Sequence, residues 1–416
     1  MRIGRTLPPA AAPIYLRDIF SGIRGFFSGQ PELQRFESEL KKYLGMKYCF
    51  LFSSGKAALA VSLSVLKDRY PERDKVIIPA YICYSVPSAV IRTGLKVIPC
   101  DLKPDSLEMN LTKLAPLLTE TTLCVIAPHL FGLPAPISEI GQLCREKGII
   151  VIEDAAQALG VTHNGIMLGT QADIGFFSLG RGKILSTVEG GILITKDASV
   201  GTLVRARQSE IESYTFIEQA ALIAKAFLLY LFSHPNLYWF PKLLPFLRLG
   251  ETIFDPNFPI KKMSGVQAGF ANNWKKKLKN FNTQRKRNVL AFMTALSDRS
   301  LSPFVSNKDR PPACLRLPLF IKEEGDREHI LSESEKKGLG VMFTYPDSID
   351  AIPKLSPLPH NHEPKQLNKL KELKKPDKPK YPEAKRMVQH IVTLPVHPMV
   401  SKKDTHKIIA LLDQKR

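Results

Sequence analysis

Three short runs carry side chains whose types and spacing could do chemistry. The first, Ser53-Ser54-Gly55-Lys56-Ala57-Ala58, follows the apolar stretch YCFLF and opens a helical run. Small residues at a helix N-terminus leave backbone N–H groups free, and with the helix dipole these can hold a phosphate. An ordinary helix cap has the same residues. The second run, Glu153-Asp154-Ala155-Ala156-Gln157, comes directly after the strand-like GIIVI. A carboxylate at the end of a parallel strand faces the crevice where α/β proteins bind ligands, and there it could hold a cationic ring nitrogen. A capping aspartate is the plain alternative. The third run is Ser178-Leu179-Gly180-Arg181-Gly182-Lys183, followed by Glu189-Gly190-Gly191. A lysine in a Gly-rich turn, five residues after a hydroxyl, suits a Schiff-base amine whose pKa a pocket can lower. A lone loop lysine is ordinarily just solvated, so its weight comes from the order of the three runs. His129, alone at a strand end, reads as a satisfied structural residue.

Positioning such groups takes an alternating α/β frame. VIIPA (76–80), KVIPCDL (96–102), LCVIAPHLF (123–131), GIIVIED (148–154) and GILIT (191–195) read as strands, several buried on both faces. SVPSAVIRTG (85–94) and ISEIGQLCREKG (137–148) have helical spacing, the second ending on a glycine that suits a C-cap. Such repeats imply a mainly parallel sheet with helices on both faces. The expected division is a large domain over 1–211, an apolar insertion over 212–256 and a small C-terminal α+β domain over 257–416. Within the last, MSGVQAGFANNWKKKLKNF reads as one amphipathic helix with a solvated basic face. A Lys/Pro-rich stretch near 360–386 reads as an exposed insertion, and the closing residues as a strand and a capped helix.

The chain has 416 residues, 44% of them hydrophobic and 24% charged, which excludes a small secreted scaffold and global disorder. Its six cysteines form no CxxC pair or zinc-like cluster, so no metal site is expected; they read as reduced core thiols, which suits the cytoplasm. No signal peptide is visible in the interrupted N-terminal apolar stretch. Fifty-nine Lys+Arg against 39 Asp+Glu give a formal charge of +20, favouring a polyanionic partner. Nucleic acid has only that charge in its favour, because no zinc finger, RNP motif or basic zipper is present. The apolar run AALIAKAFLLYLFS (220–233), fourteen residues with a lysine at 225, is too short for a confident membrane span. Trp239, Tyr238, Lys225, Lys242 and Arg248 would suit a peripheral contact with the inner membrane face, and a dimer interface or core packing is the equal alternative.

In their order and spacing, the phosphate turn, strand–Asp-x-x-Gln and Ser-x4-Lys-x5-Glu-Gly-Gly resemble the DegT/DnrJ/EryC1/StrS family of pyridoxal-phosphate sugar aminotransferases. Segments along nearly the whole chain share the likeness, among them PAYICYSVPSAVIRTGLKVIPCDL, APHLFGLPAPISEI, MSGVQA and LPVHPMVSKKD. The resemblance implies the fold-type I architecture of pyridoxal 5′-phosphate transferases. It makes Lys183 the Schiff-base lysine and proton carrier, Asp154 the partner of the pyridinium nitrogen and Gln157 a neighbour of the cofactor's 3-oxygen. Ser178 and the Ser54-Gly55-Lys56 turn would hold the phosphate.

Three departures stand out. Lys56 replaces the family's usual threonine, and Cys83 stands where an aromatic commonly covers the cofactor ring, leaving the adjacent Tyr84 for stacking. Pro259-Ile260-Lys261-Lys262-Met263 replaces the segment whose asparagine reaches the partner subunit's phosphate, although a homodimer remains the expectation. The resemblance implies amine transfer, with glutamate as donor, to a nucleotide-linked keto-sugar for surface polysaccharide or glycan biosynthesis. The alternatives are a non-catalytic or regulatory member and a sugar dehydratase, the latter opposed by the presence of Lys183.

Overall fold

A computed structural model describes residues 3–244, 250–296, 302–305, 311–352, 355 and 379–413. Seven strands form the central sheet: β1 (Tyr48–Phe52), β2 (Lys75–Pro79), β3 (Lys96–Cys100), β4 (Thr122–Pro128), β5 (Ile150–Asp154), β8 (Ile174–Ser178) and β9 (Gly191–Thr195). Between β5 and β8 the chain makes a small hairpin, β6 (Thr162–His163) and β7 (Ile166–Met167), which sequence periodicity does not reveal. The sheet order is β1-β9-β8-β5-β4-β2-β3, and only β9 runs against its neighbours. This is the mainly parallel sheet of the fold-type I architecture. Every residue of β4 and β9 is buried, so their unbroken apolar runs reflect cover on both faces.

The strand read as 123–131 stops at Pro128. Phe131 (φ 59°) and Gly132 (φ 85°) turn the chain through a short 3-10 helix instead. The strand read as 96–102 ends at Cys100, with Leu102 making only an isolated bridge to Met109. Helices Ser85–Arg92 and Ile137–Arg145 form as expected, and Gly148 takes φ 58° while its amide returns to Arg145.

MSGVQAGFANNWKKKLKNF is two helices, Gly265–Phe270 and Trp274–Ala295, broken where Asn273 adopts a left-handed conformation that asparagine tolerates. The basic face of the second is not wholly solvated. Trp274, Lys277, Leu278, Phe281, Arg285 and Val289 recur at helical spacing and are all buried. Lys277 pairs with the equally buried Asp18 at 3.0 Å.

A second, antiparallel sheet joins β10 (Ser302–Pro303), β11 (Arg316–Phe320) and β12 (Ile391–Pro395). The helix Lys402–Asp413 follows, capped reciprocally by Ser401 and Asp404. Of the Lys/Pro-rich stretch, residues 382–386 open the helix Pro382–His390, which buries Ala384 and Met387; residues 360–378 lie outside the described residues.

The apolar segment is mainly one helix, Phe216–Phe232, started by a Thr215–Glu218 capping box. It buries only Leu222 and Ala226 and leaves Phe216 71% and Ile217 79% exposed. Lys225 and Lys242, read as candidates for lipid headgroups, are instead paired with Glu189 and Glu335, and Arg248 lies outside the described residues. Among the described residues no helix is long and apolar enough to cross a membrane.

Candidate active site

Because β1, β2, β4, β5 and β8 run the same way, their carboxyl ends share one edge of the sheet, and the residues following them meet there. Ser54 leaves β1 in extended conformation and caps the helix Gly55–Arg69, its Oγ accepting from the Ala57 amide at 3.1 Å. The Gly55 and Lys56 amides lie in the first turn, where no intrahelical acceptor exists. Across from this turn stands Ser178: a Cβ on Gly55 would come within 2.9 Å of the Ser178 Cβ. The start of β9 closes the same corner, with Gly191 in register with both Phe52 and Ser178. A Cβ on Gly191 would lie 2.1 Å from the Ser54 carbonyl oxygen, which is why a glycine must follow Glu189-Gly190. The structure therefore brings the Ser54-Gly55 turn and Ser178 together. Lys56 takes another direction, its Nζ lying 4.6 Å from the centre of the Phe258 ring.

Successive residues of a strand face opposite sides, and at the end of β5 this separates two carboxylates. Glu153 faces inward and accepts from four donors: His129 Nε2 (2.8 Å) and the amides of Gly169, Gln171 and Ala172. His129 Nδ1 accepts from the Ala135 amide, so the imidazole proton sits on Nε2 and points at Glu153. Burial pushes the Glu153 carboxyl up, but His129 and the amides outweigh it and leave the group below its ordinary range. His129 and Glu153 thus form a saturated structural pair.

Asp154, also buried, uses Oδ1 to accept from the Ala156 amide. Burial raises its pKa, opposed first by that amide and then by the charge of Lys183. It is an acid short of a cation, in electrostatic range of a lysine.

Lys183 ends the turn Gly180–Lys183, its amide bonded to the Gly180 carbonyl. The turn is braced from behind by Arg285. This guanidinium is wholly buried and donates to the carbonyls of Ile184 (3.4 Å) and Ala11 (2.9 Å). Gln157 accepts from the Phe131 amide through Oε1 and donates through Nε2 to the Tyr345 hydroxyl at 3.2 Å. The Tyr345 phenol is in range of both Cys83 and Asp154, and the Tyr81 ring meets its edge at 4.9 Å. Tyr84 turns its hydroxyl to the Asp347 carbonyl at 3.0 Å, and burial first, with Asp347 second, pushes its pKa up to about 12. Arg285 and Tyr345 escape a reading of motifs. The helical period from Trp274 through Lys277 and Phe281 to Arg285 is the one sequence signal that could have placed Arg285 inside.

A cleft of about 1020 Å³ opens beside the ends of β2 and β4, lined among others by Pro79, Pro128, Leu130, Asn164 and Lys286. Neither Lys183 nor Asp154 lines it, so the convergence of titratable groups, rather than empty volume, marks the site.

A sequence model of the DegT/DnrJ/EryC1/StrS aminotransferase family matches residues 22–212 and 259–413. Protein MosB of Rhizobium meliloti is 34% identical over 178 residues, 43% of this chain and 35% of that protein. A dTDP-4-dehydro-2,3,6-trideoxy-D-glucose 4-aminotransferase of Saccharopolyspora spinosa is 32% identical over 177 residues, 42% of this chain and 46% of that enzyme. The chain thus spans less than half the length of these curated relatives. Among solved structures, the PLP form of the putative sugar aminotransferase Spr1654 from Streptococcus pneumoniae superposes with a TM-score of 0.71 at 21% identity, covering 98% of this chain and 97% of that one.

Proposed function

Because the chain belongs to the DegT/DnrJ/EryC1/StrS aminotransferase family, whose enzymes use pyridoxal 5′-phosphate, we propose that it passes an amino group from glutamate to a nucleotide-linked keto-sugar. The product would serve surface polysaccharide or glycan synthesis, and the enzyme would work in the cytoplasm. One observation carries this reading: Asp154 is a buried carboxyl with its pKa raised, in range of Lys183 and in no ion pair among the described residues.

The residues present fit the cofactor. Asp154 supplies the negative charge that a protonated ring nitrogen requires, and its burial makes that pairing strong. The Gly55 and Lys56 amides, the helix dipole and the Ser178 hydroxyl suit a phosphate, with Ser54 holding the turn in place. Gln157, three residues after Asp154 and held by Phe131 and Tyr345, would lie near the cofactor's 3-oxygen.

When bound, the cofactor supplies the electron sink that allows a donor's amine to be exchanged for a carbonyl. Lys183 Nζ would attach the cofactor and, once released, hold and move the proton between donor carbon and cofactor. Asp154 would keep the ring nitrogen protonated throughout. Tyr84 and Cys83, which follow β2, are assigned to the approach over the ring, and Lys56 adds positive charge toward a diphosphate-bearing substrate.

The working unit proposed is a homodimer. Its contact is the apolar face where Phe26 touches Phe27 at 5.2 Å and Phe216 at 4.7 Å. Lys225 and Lys242 are engaged within the chain by Glu189 and Glu335.

Borohydride reduction of the holoenzyme followed by peptide mapping tests the cofactor reading: the pyridoxyl label is expected on Lys183, and a label elsewhere overturns it. Incubation with glutamate and a panel of nucleotide-linked keto-sugars tests the reaction. Amine transfer to none of them, despite a correctly labelled lysine, overturns the substrate class.

A further inference from the structure

Phe131 is buried and holds φ 59°, in the left-handed region that bulky side chains avoid. Strained backbone of this kind gathers at ligand clamps, where the surroundings hold it in place. Here the strain aims a donor. The Phe131 amide meets Gln157 Oε1 at 2.8 Å, while the Phe131 carbonyl accepts from the Leu315 amide at 2.8 Å. Gly132 (φ 85°) packs so closely that a Cβ on it would lie 3.1 Å from the Gln157 carbonyl oxygen. The turn therefore grips Gln157 at both main chain and side chain.

A side-chain amide has one accepting atom and a nitrogen with two protons. Because a backbone amide can only donate, Oε1 must face Phe131, and the nitrogen is forced to the other side. There Nε2 gives one proton to the Tyr345 hydroxyl at 3.2 Å. No acceptor takes the second proton among the described residues, and Gln157 is partly exposed, so that N–H is open to a ligand. Tyr345 is itself fixed, 3% exposed and met edge-on by the Tyr81 ring at 4.9 Å. Burial, then Cys83 and Tyr81, push its pKa well above the phenol range, so it is neutral and Tyr345→Phe removes no charge.

We propose that the Phe131 turn and Tyr345 are positioning residues that make Gln157 a one-way donor, aimed at an acceptor oxygen of the bound cofactor. The inference rests on the placement of Gln157 near the 3-oxygen made above. A donor stabilises negative charge on such an oxygen. By engaging its lone pairs, the donor also loosens the proton that this oxygen would share with the Lys183 nitrogen.

Wild-type, Tyr345→Phe, Gln157→Ala and double-variant holoenzymes test it through the pH titration of the resting cofactor's visible absorbance. Tyr345→Phe should raise the midpoint by roughly half to one pH unit, the scale of one neutral hydrogen bond. Gln157→Ala should raise it at least as far. Because Tyr345 acts through Gln157, the double variant should match Gln157→Ala alone. The titratable neighbours of Tyr345, namely Cys83, Tyr81 and Asp154, are present in all four proteins. A midpoint raised by Gln157→Ala but not by Tyr345→Phe overturns the proposal, as does a double variant that sums the two shifts. An unchanged midpoint in Gln157→Ala refutes instead the placement of Gln157 near the 3-oxygen, and a wild type that binds no cofactor on Lys183 refutes the cofactor reading. In those cases, or if Tyr345→Phe does not fold, nuclear magnetic resonance of the cofactor-free wild type reads the clamp alone. The two side-chain amide protons of Gln157, identified by their absence in Gln157→Ala, should resonate well apart and exchange slowly. A coincident, rapidly exchanging pair refutes the clamp.

Discussion

At the scale of single residues, adjacent carboxylates divide the work. Glu153 is saturated by His129 and three amides, whereas Asp154 accepts one amide and lies in electrostatic range of Lys183. Replacing Lys183 by Ala should lower turnover by several orders of magnitude, as loss of a covalent catalyst does; single-turnover kinetics with the amino donor checks this. Asp154→Asn should slow the same half-reaction, because a neutral amide no longer holds the ring proton, and an unchanged rate would reduce Asp154 to a helix cap. The variant also has a signature in the cofactor-free protein. Burial raises the Asp154 pKa above its unfolded value, so the stability it contributes is complete below the unfolded range and lost as pH rises through the raised value. At pH 8 the cofactor-free Asp154→Asn protein should therefore melt above wild type. The difference should close at pH values below the ordinary 3.8 of aspartate.

At the scale of elements, the parallel strands were legible because burial on both faces writes them as unbroken apolar runs, and the three chemical runs fall at their ends. What the sequence hid was where such runs stop. LCVIAPHLF stays apolar past Pro128, and only the positive φ of Phe131 and Gly132 takes it out of the sheet. Lys277 reads as solvated because charge outweighs periodicity in a basic run, yet the helical spacing buries it. Tyr345 comes to the site from a segment far along the chain that no local pattern links to it. The Gly191 corner is different, since Glu-Gly-Gly marks it in the sequence and the structure supplies the reason. Gly191→Ala would drive a methyl to 2.1 Å from the Ser54 carbonyl and should displace β9 from the cap. A loss of at least about 1–3 kcal/mol is expected, as for overpacking elsewhere. Thermal melting and equilibrium titration with the cofactor check it, both falling together.

At the scale of the whole molecule, Phe20, Phe27, Phe216 and Ile217 are 68%, 83%, 71% and 79% exposed on helices that pack on one another. Exposed apolar area of this kind marks a contact. Phe27→Glu with Phe216→Glu should convert a dimer to a monomer in sedimentation velocity, with the far-ultraviolet circular dichroism unchanged. Liposome flotation is the complementary measurement: wild type should stay with the soluble fraction, and salt-sensitive flotation on anionic vesicles would assign the face to the membrane. The segment 4–12 has another consequence. Arg5 binds Asp404, 399 residues away, the Leu7 amide meets the Gly338 carbonyl, and the Pro8 and Ala11 carbonyls accept from His397 and Arg285. During synthesis at about 5–20 residues per second, this strap waits roughly 20–80 s for Asp404 to be made. Since Arg285 ties Ala11 to the carbonyl beside Lys183, the Lys183 turn acquires its backing only after the chain through Arg285 has emerged, and a nascent chain stalled earlier holds all three motifs without the brace that sets them.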